Sequence, residues 1–215
     1  MAHIVILGAG IGGMPMAFEM RESARAEDRI TVIHVTHRGT DRLDLHSDNP
    51  LTYMVQREIF DEYLTRKAME SGASLLQRTV DGVGRTDNGF AVHTGSGDLR
   101  AGFVVGADGA TSVVAKALGL ASPRRMAAAI EAELDPGPER LAEFRSRVVI
   151  DYGAAHYGYG WVFPKADHLS VGVGSFVGKS SLAKELDELI RREGLTEARV
   201  IVRKGELILT WAGSR

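Results

Sequence analysis

The chain has 215 residues, 44% of them apolar, with 26 Lys and Arg against 28 Asp and Glu and a formal charge of −2. That is enough for one large domain or two small ones with a real core, and the scattered charge argues against nucleic acid as a partner, because phosphate neutralisation needs clustered cations. The absence of cysteine excludes disulfides, thiolate nucleophiles and cysteine-held metals or iron–sulfur clusters.

The N-terminal MAHIVILGAG lacks a basic leader, and glycine soon breaks its apolar run, so it does not read as a signal peptide. No stretch approaches the roughly 20 apolar residues of a membrane span. The expectation is a cytoplasmic protein, with peripheral membrane contact left open. Residues 3–8 read as a buried strand, followed by a glycine-rich turn and a helix to Arg25 with Met14, Ala17 and Phe18 on one side. Residues 29–36 read as a second strand, completing a βαβ unit. After a polar stretch, residues 56–71 form an amphipathic helix with Ile59, Phe60, Tyr63, Leu64 and Ala68 as its stripe, capped by Gly72. Turn signals at Asn88-Gly89 and at 95–98 mark a β-meander that returns through a strand at 103–105. A short helix at 112–120 and a linker at 122–125 follow. Residues 126–134 suit a strand or a helix; the Pro136-Gly137-Pro138 stop and the antiparallel sheet after it favour a strand. Strands at 147–152, 157–164 and 168–175, a helix at 180–193 and a strand at 206–211 complete the chain.

Three features carry chemistry. Gly8, Gly10 and Gly13 make G-x-G-x-x-G between a strand and a helix, the arrangement that brings backbone and a helix N-terminus to a pyrophosphate. The carboxylate usual at the end of the second strand is missing; His34 and Thr36 stand there, and Thr36 is the candidate ribose contact. Asp108 and Gly109, just beyond a strand end, suit the hydroxyls of a sugar or ribityl chain, or else a turn feeding a helix cap at Ser112. Finally, a four-residue loop at 165–168 would set Phe163 opposite Ser170, Trp161 opposite Gly172 and Tyr159 opposite Gly174. Three rings would then face nearly bare backbone, either covering the glycines or walling an apolar slot for an extended hydrocarbon.

Arg57, Phe60 and Asp61 (R-x-x-F-D), with Leu64, Ala68, Gly72 and Ala73 and the later Gly106-Ala107-Asp108-Gly109, resemble the flavoprotein group of para-hydroxybenzoate hydroxylase and the geranylgeranyl reductases. The resemblance implies that Arg57 lies near the ribityl and phosphates of FAD and that Asp108-Gly109 helps to bind it. Where that group commonly has a further arginine, Ala115-Lys116 stand here. Tyr159, Trp161, Phe163 and Pro164, then Gly172 and Gly174, are similar to the substrate-domain motif of the geranylgeranyl reductases, and residues 41–205 resemble that family as a whole. It implies an FAD enzyme that saturates isoprenoid double bonds in a lipid substrate by hydride transfer from reduced flavin, with NADPH as the candidate electron donor. Tyr159 and His156 are the candidate proton sources; no catalytic residue is assigned.

Residues 1–36 are instead similar to the start of the sulfide:quinone oxidoreductases, whose redox cysteines are absent here. Only residues 37–55 separate the second strand from the R-x-x-F-D helix, and the family's later G-D-A motif is missing. The expected architecture is α/β: a Rossmann-like FAD-binding domain with a β-meander over 1–123, and a partial, shortened antiparallel-sheet substrate domain over 124–215. An NAD(P)H-dependent flavin hydroxylase and a non-catalytic flavoprotein fragment remain as alternatives.

Overall fold

A computed structural model describes residues 4–7, 29–30, 32–109, 111–120, 125–177 and 181–210. Its contacts gather into two units, one of residues 1–16 and 57–124, the other of residues 17–56 and 125–215.

In the first unit β1 (Ile4–Leu7) runs parallel to β9 (Phe103–Gly106), with Leu7 beside Gly106. The helix α1 (Arg57–Glu70) forms within the expected 56–71 span and stops at Gly72, whose φ of 97° favours glycine. Phe60 is its buried residue, whereas Ile59, expected in the same stripe, is 62% exposed. Adjacent helical residues point about 100° apart, so a narrow contact takes one of the two. The meander is present as β6 (Val80–Thr86), β7 (Gly89–Thr94) and β8 (Leu99–Ala101), with Thr86 opposite Gly89 across a two-residue turn. The short α2 (Val113–Ala117) packs Val114 against Val83 and Val92.

The second unit is a seven-stranded sheet. In spatial order it runs β14 (Arg199–Thr210), β10 (Arg125–Asp135), β13 (Leu169–Ser175), β12 (Gly158–Pro164), β11 (Arg147–Tyr152), β3 (Val32–His37) and β4 (Asp41–His46). Two helices, α3 (Pro138–Glu143) and α4 (Leu182–Arg192), bring Leu141, Leu186 and Leu189 into one cluster with Val162, Val171 and Val173 of the sheet. Full burial of each such side chain contributes about 1.5–3 kcal/mol. The short pair β2 (Arg29–Ile30) and β5 (Thr52–Tyr53) is antiparallel.

The helix expected to Arg25 lies outside the described residues, and the two strands expected to flank it lie in different sheets. β3 pairs in parallel with β11 and antiparallel with β4, not with β1. Ile33 and Val35 alternate with His34 and Thr36, which gives the strand two unlike faces but leaves its neighbours to long-range packing. The polar composition around β4 and the Pro136-Gly137-Pro138 stop at the start of α3 conceal these two elements. Leu43 and Leu45 alternate with charged residues in the first, and Pro138 stands in the first turn of the second, where its missing N–H costs nothing.

Candidate functional site

The glycines Gly8, Gly10 and Gly13 lie outside the described residues. What precedes them is described. β1 and β9 are parallel neighbours paired up to Leu7 and Gly106, so their C-terminal ends lie at one edge, where open α/β sheets bind ligands. A Cβ on Gly106 would lie 2.9 Å from the Cβ of Val114, so a glycine there lets α2 sit close to the strand end.

Asp108 is turned onto α2. Its Oδ2 accepts from the N–H groups of Val113 (2.6 Å) and Val114 (3.2 Å), and its Oδ1 from the Ser112 hydroxyl (2.6 Å). Ser112 in turn caps the Ala115 N–H at 2.9 Å. Burial opposes ionisation of Asp108, but these hydrogen bonds outweigh it and hold the carboxyl below its ordinary value. Gly109 follows with φ 78°. Arg57 opens α1 in the same unit, largely exposed and paired with Asp61 at 3.0 Å.

In the second unit the hairpin register is the expected one: Phe163 opposite Ser170, Trp161 opposite Gly172 and Tyr159 opposite Gly174. Its loop closes through Lys165 N–H to the His168 carbonyl at 2.8 Å. The Trp161 indole lies directly over Gly172, where an added Cβ would come within 2.1 Å of its Cζ2. Its Nε1–H donates to Ser170 Oγ (3.3 Å), which donates to Glu131 (3.1 Å), so the indole is both packed and polar-satisfied. The rings form a longer row than the sequence suggested. Tyr152–Tyr159, Tyr159–Trp161 and Trp161–Phe163 centroids are 6.3, 5.9 and 6.1 Å apart, and Phe176 adds to it 6.4 Å from Tyr159. Tyr152 and Phe176 are both 55% exposed; they stand at the end of β11 and just past the end of β13, where strand alternation alone does not fix a side chain's place. The glycine-opposed half of the expected slot is thus occupied at Gly172 by the indole itself, and the open part of this face is the ring row.

A hollow of about 250 Å³ lies at the Tyr152 end, lined by Val35, Thr36, His37, Leu43 and Tyr152 among others. Thr36 is therefore placed between β11 and β4 rather than beside β1, and its buried Oγ has no hydrogen-bond partner among the described residues. His156 is exposed, its ring edge-on to Tyr157 at 4.5 Å. On the helix-covered side, Arg42 and His34 both engage Asp44, and the Arg42 bond, then the His34 bond, lower its carboxyl to about 2. The buried Asp151 is paired with Arg192 of α4 at 2.8 Å. Among the described residues no His, Asp or Glu group is arranged to hold a metal ion, and no helix is long and apolar enough to cross a membrane.

A family model described as "FAD binding domain" matches residues 4–167. Geranylgeranyl diphosphate reductase of Nicotiana tabacum is 31% identical over 147 residues, covering 61% of this chain and 32% of that protein. Digeranylgeranylglycerophospholipid reductase of Methanococcus vannielii is 27% identical over 144 residues, covering 64% of this chain and 37% of that protein. The chain thus spans about a third of the length of the curated relatives it matches. In fold it is similar to a flavoprotein/dehydrogenase from Cytophaga hutchinsonii, with a TM-score of 0.69 at 16% identity over 96% of this chain and 66% of that one.

Proposed function

The chain belongs to the FAD binding domain family, and from that premise we propose that it is an FAD-dependent reductase of isoprenoid double bonds, of the geranylgeranyl reductase type. The observation that carries the reading is the half-exposed row Tyr152, Tyr159, Trp161 and Phe163, spaced about 6 Å apart on one sheet face. A row of ring faces and edges takes up an extended hydrocarbon, and its one indole N–H already has its partner in Ser170.

The residues present fit FAD. Asp108 accepts three hydrogen bonds and, as a carboxylate with about four acceptor sites, keeps room for a ribityl hydroxyl. Gly109 leaves its backbone bare, and Arg57 offers a guanidinium held at the head of α1 by Asp61. Gly8, Gly10 and Gly13 would take the pyrophosphate. When bound and reduced, FAD supplies the hydride that one alkene carbon receives while the other takes a proton, two electrons in all. NADPH is the proposed reductant. The chain's own part is to align the hydrocarbon along the rings, to keep water from it and to offer a proton, for which Tyr159 and Tyr152 carry the hydroxyl groups of the row.

The test is spectroscopic. The purified chain should show flavin absorption. After anaerobic reduction it should be reoxidised by a geranylgeranyl lipid, with a mass gain of two hydrogens per bond. Gly172→Ala, which drives the indole from its seat, should raise KM about tenfold with less effect on kcat. A folded but colourless protein, or one whose NADPH oxidation responds to a phenol and not to the lipid, overturns the proposal.

A further inference from the structure

The strand β14 forms one margin of the second unit's sheet: it pairs with β10 and, among the described residues, with no strand on its other side. Such a margin presents a row of open N–H and C=O groups that templates another strand. The opposite margin, β4, has 6 residues and carries Asp41, Arg42, Asp44 and His46, the charged pattern that blunts an edge. β14 has 12 residues and leaves Leu207 60% and Ile208 47% exposed.

The strand's own sequence names a partner. Laid antiparallel on itself about Gly205, it sets Lys204 opposite Glu206 and Val202 opposite Ile208, each twice. These four residues share one face, since side chains two apart along a strand point the same way. Lys204 reaches Glu131 at 3.0 Å and Glu133 at 3.6 Å on β10, whereas Glu206 is exposed and makes no ion pair among the described residues. In the self-pairing, Lys204 stands between Glu131 and the second copy's Glu206, so charge alternates along the row. Moving the centre by one residue sets Lys204 on Lys204 or Glu206 on Glu206, and like charges directly opposed are destabilising. The irregularity at Ile201, where the β10 register shifts between Glu133 and Leu134, bends the beginning of the strand away and confines pairing to the 202–208 segment.

We propose that a second copy of this chain adds to β14, antiparallel and centred on Gly205, giving a two-fold dimer with one sheet continuous through both copies. The interface is isologous, the same strand serving both sides. Backbone hydrogen bonds supply affinity, and the Lys204–Glu206 and Val202–Ile208 pairs select the register.

The chain has no cysteine, so a single introduced thiol reports the register. Directly opposed Cα atoms in an antiparallel pair lie about 4.5–5.5 Å apart, within the span of a disulfide. A Cβ at Gly205 meets the Ala129 carbonyl at an ordinary 3.5 Å, so the site accepts the change. Light scattering on the full chain should show a dimer at micromolar concentration. On mild oxidation Gly205→Cys should become a covalent dimer, while Lys204→Cys and Glu206→Cys stay mostly uncrosslinked. Glu206→Lys, with its fold checked by circular dichroism, should weaken the dimer about tenfold. A wild-type chain that is monomeric at every concentration, crosslinking that favours Lys204→Cys or Glu206→Cys, or a dimer indifferent to Glu206→Lys overturns the proposal.

Discussion

At Asp108, the Ser112 hydroxyl and two backbone N–H groups converge on one carboxylate, so the residue that would meet a flavin also holds the helix beside it in place. Its folded-state carboxyl is held below the ordinary 3.8. The stabilisation is therefore complete above that value and is lost as pH falls through the folded-state value. Asp108→Asn should cost about 1 kcal/mol near neutral pH, the usual worth of a cap, and its melting temperature should meet that of the wild type in acid. A gap that persists unchanged at low pH would assign the loss to something other than the charge. At this scale the sequence was legible where a local rule sufficed. The Phe163–Ser170, Trp161–Gly172 and Tyr159–Gly174 register follows from period two and a four-residue loop. Tyr152 and Phe176 are not legible, because they stand at and just past strand ends, where period two no longer fixes the direction of a side chain.

Among the elements, α4 shows how the ring-bearing hairpin is held from behind. Leu189 is fully buried, and the space above Gly160 is filled by its methyl group: a Cβ there would lie 2.7 Å from Leu189 Cδ2. Leu189→Ala should cost about 2–5 kcal/mol by calorimetry or denaturant titration. Because β12 carries Gly160 on one face and Tyr159 and Trp161 on the other, the same variant should also shift tryptophan fluorescence; a destabilised protein with an unmoved spectrum would separate the helix from the ring row. Elements with strong periods were legible, namely the meander, the hairpin and α4, and α1 was legible from its helix-forming residues and the Gly72 stop. β3 was found as a strand but given the wrong neighbour, since pairing is decided by long-range burial rather than by the strand's own residues. The shortness of β4 and α3 hid them behind their polar composition, and β14 extends seven residues earlier than the 206–211 span its apolar run suggested.

For the whole molecule, the two units interleave along the chain, with 17–56 belonging with 125–215. The chain passes between them near 16, 56 and 124, and the polar-to-apolar change at 56 reads in the sequence as the start of a helix and not as a crossing between units. Residues 125–215 expressed alone should lack the strand that flanks β11, and hydrogen exchange at residues 147–152 should be fast. Adding residues 29–56 as a separate peptide should restore protection. Full protection in the fragment alone would show the β3 ladder to be dispensable.

The parallel ladder between Val32–His37 and Arg147–Tyr152 also fixes a timetable. Its two halves are separated by over a hundred positions, so during translation at about 5–20 residues per second the early strand emerges roughly 6–23 s before its mate. Throughout that wait the β11-facing edge of Ile33 and Val35 is open to water or to a chaperone, and slowing the ribosome anywhere between those two segments should lower the yield of native protein.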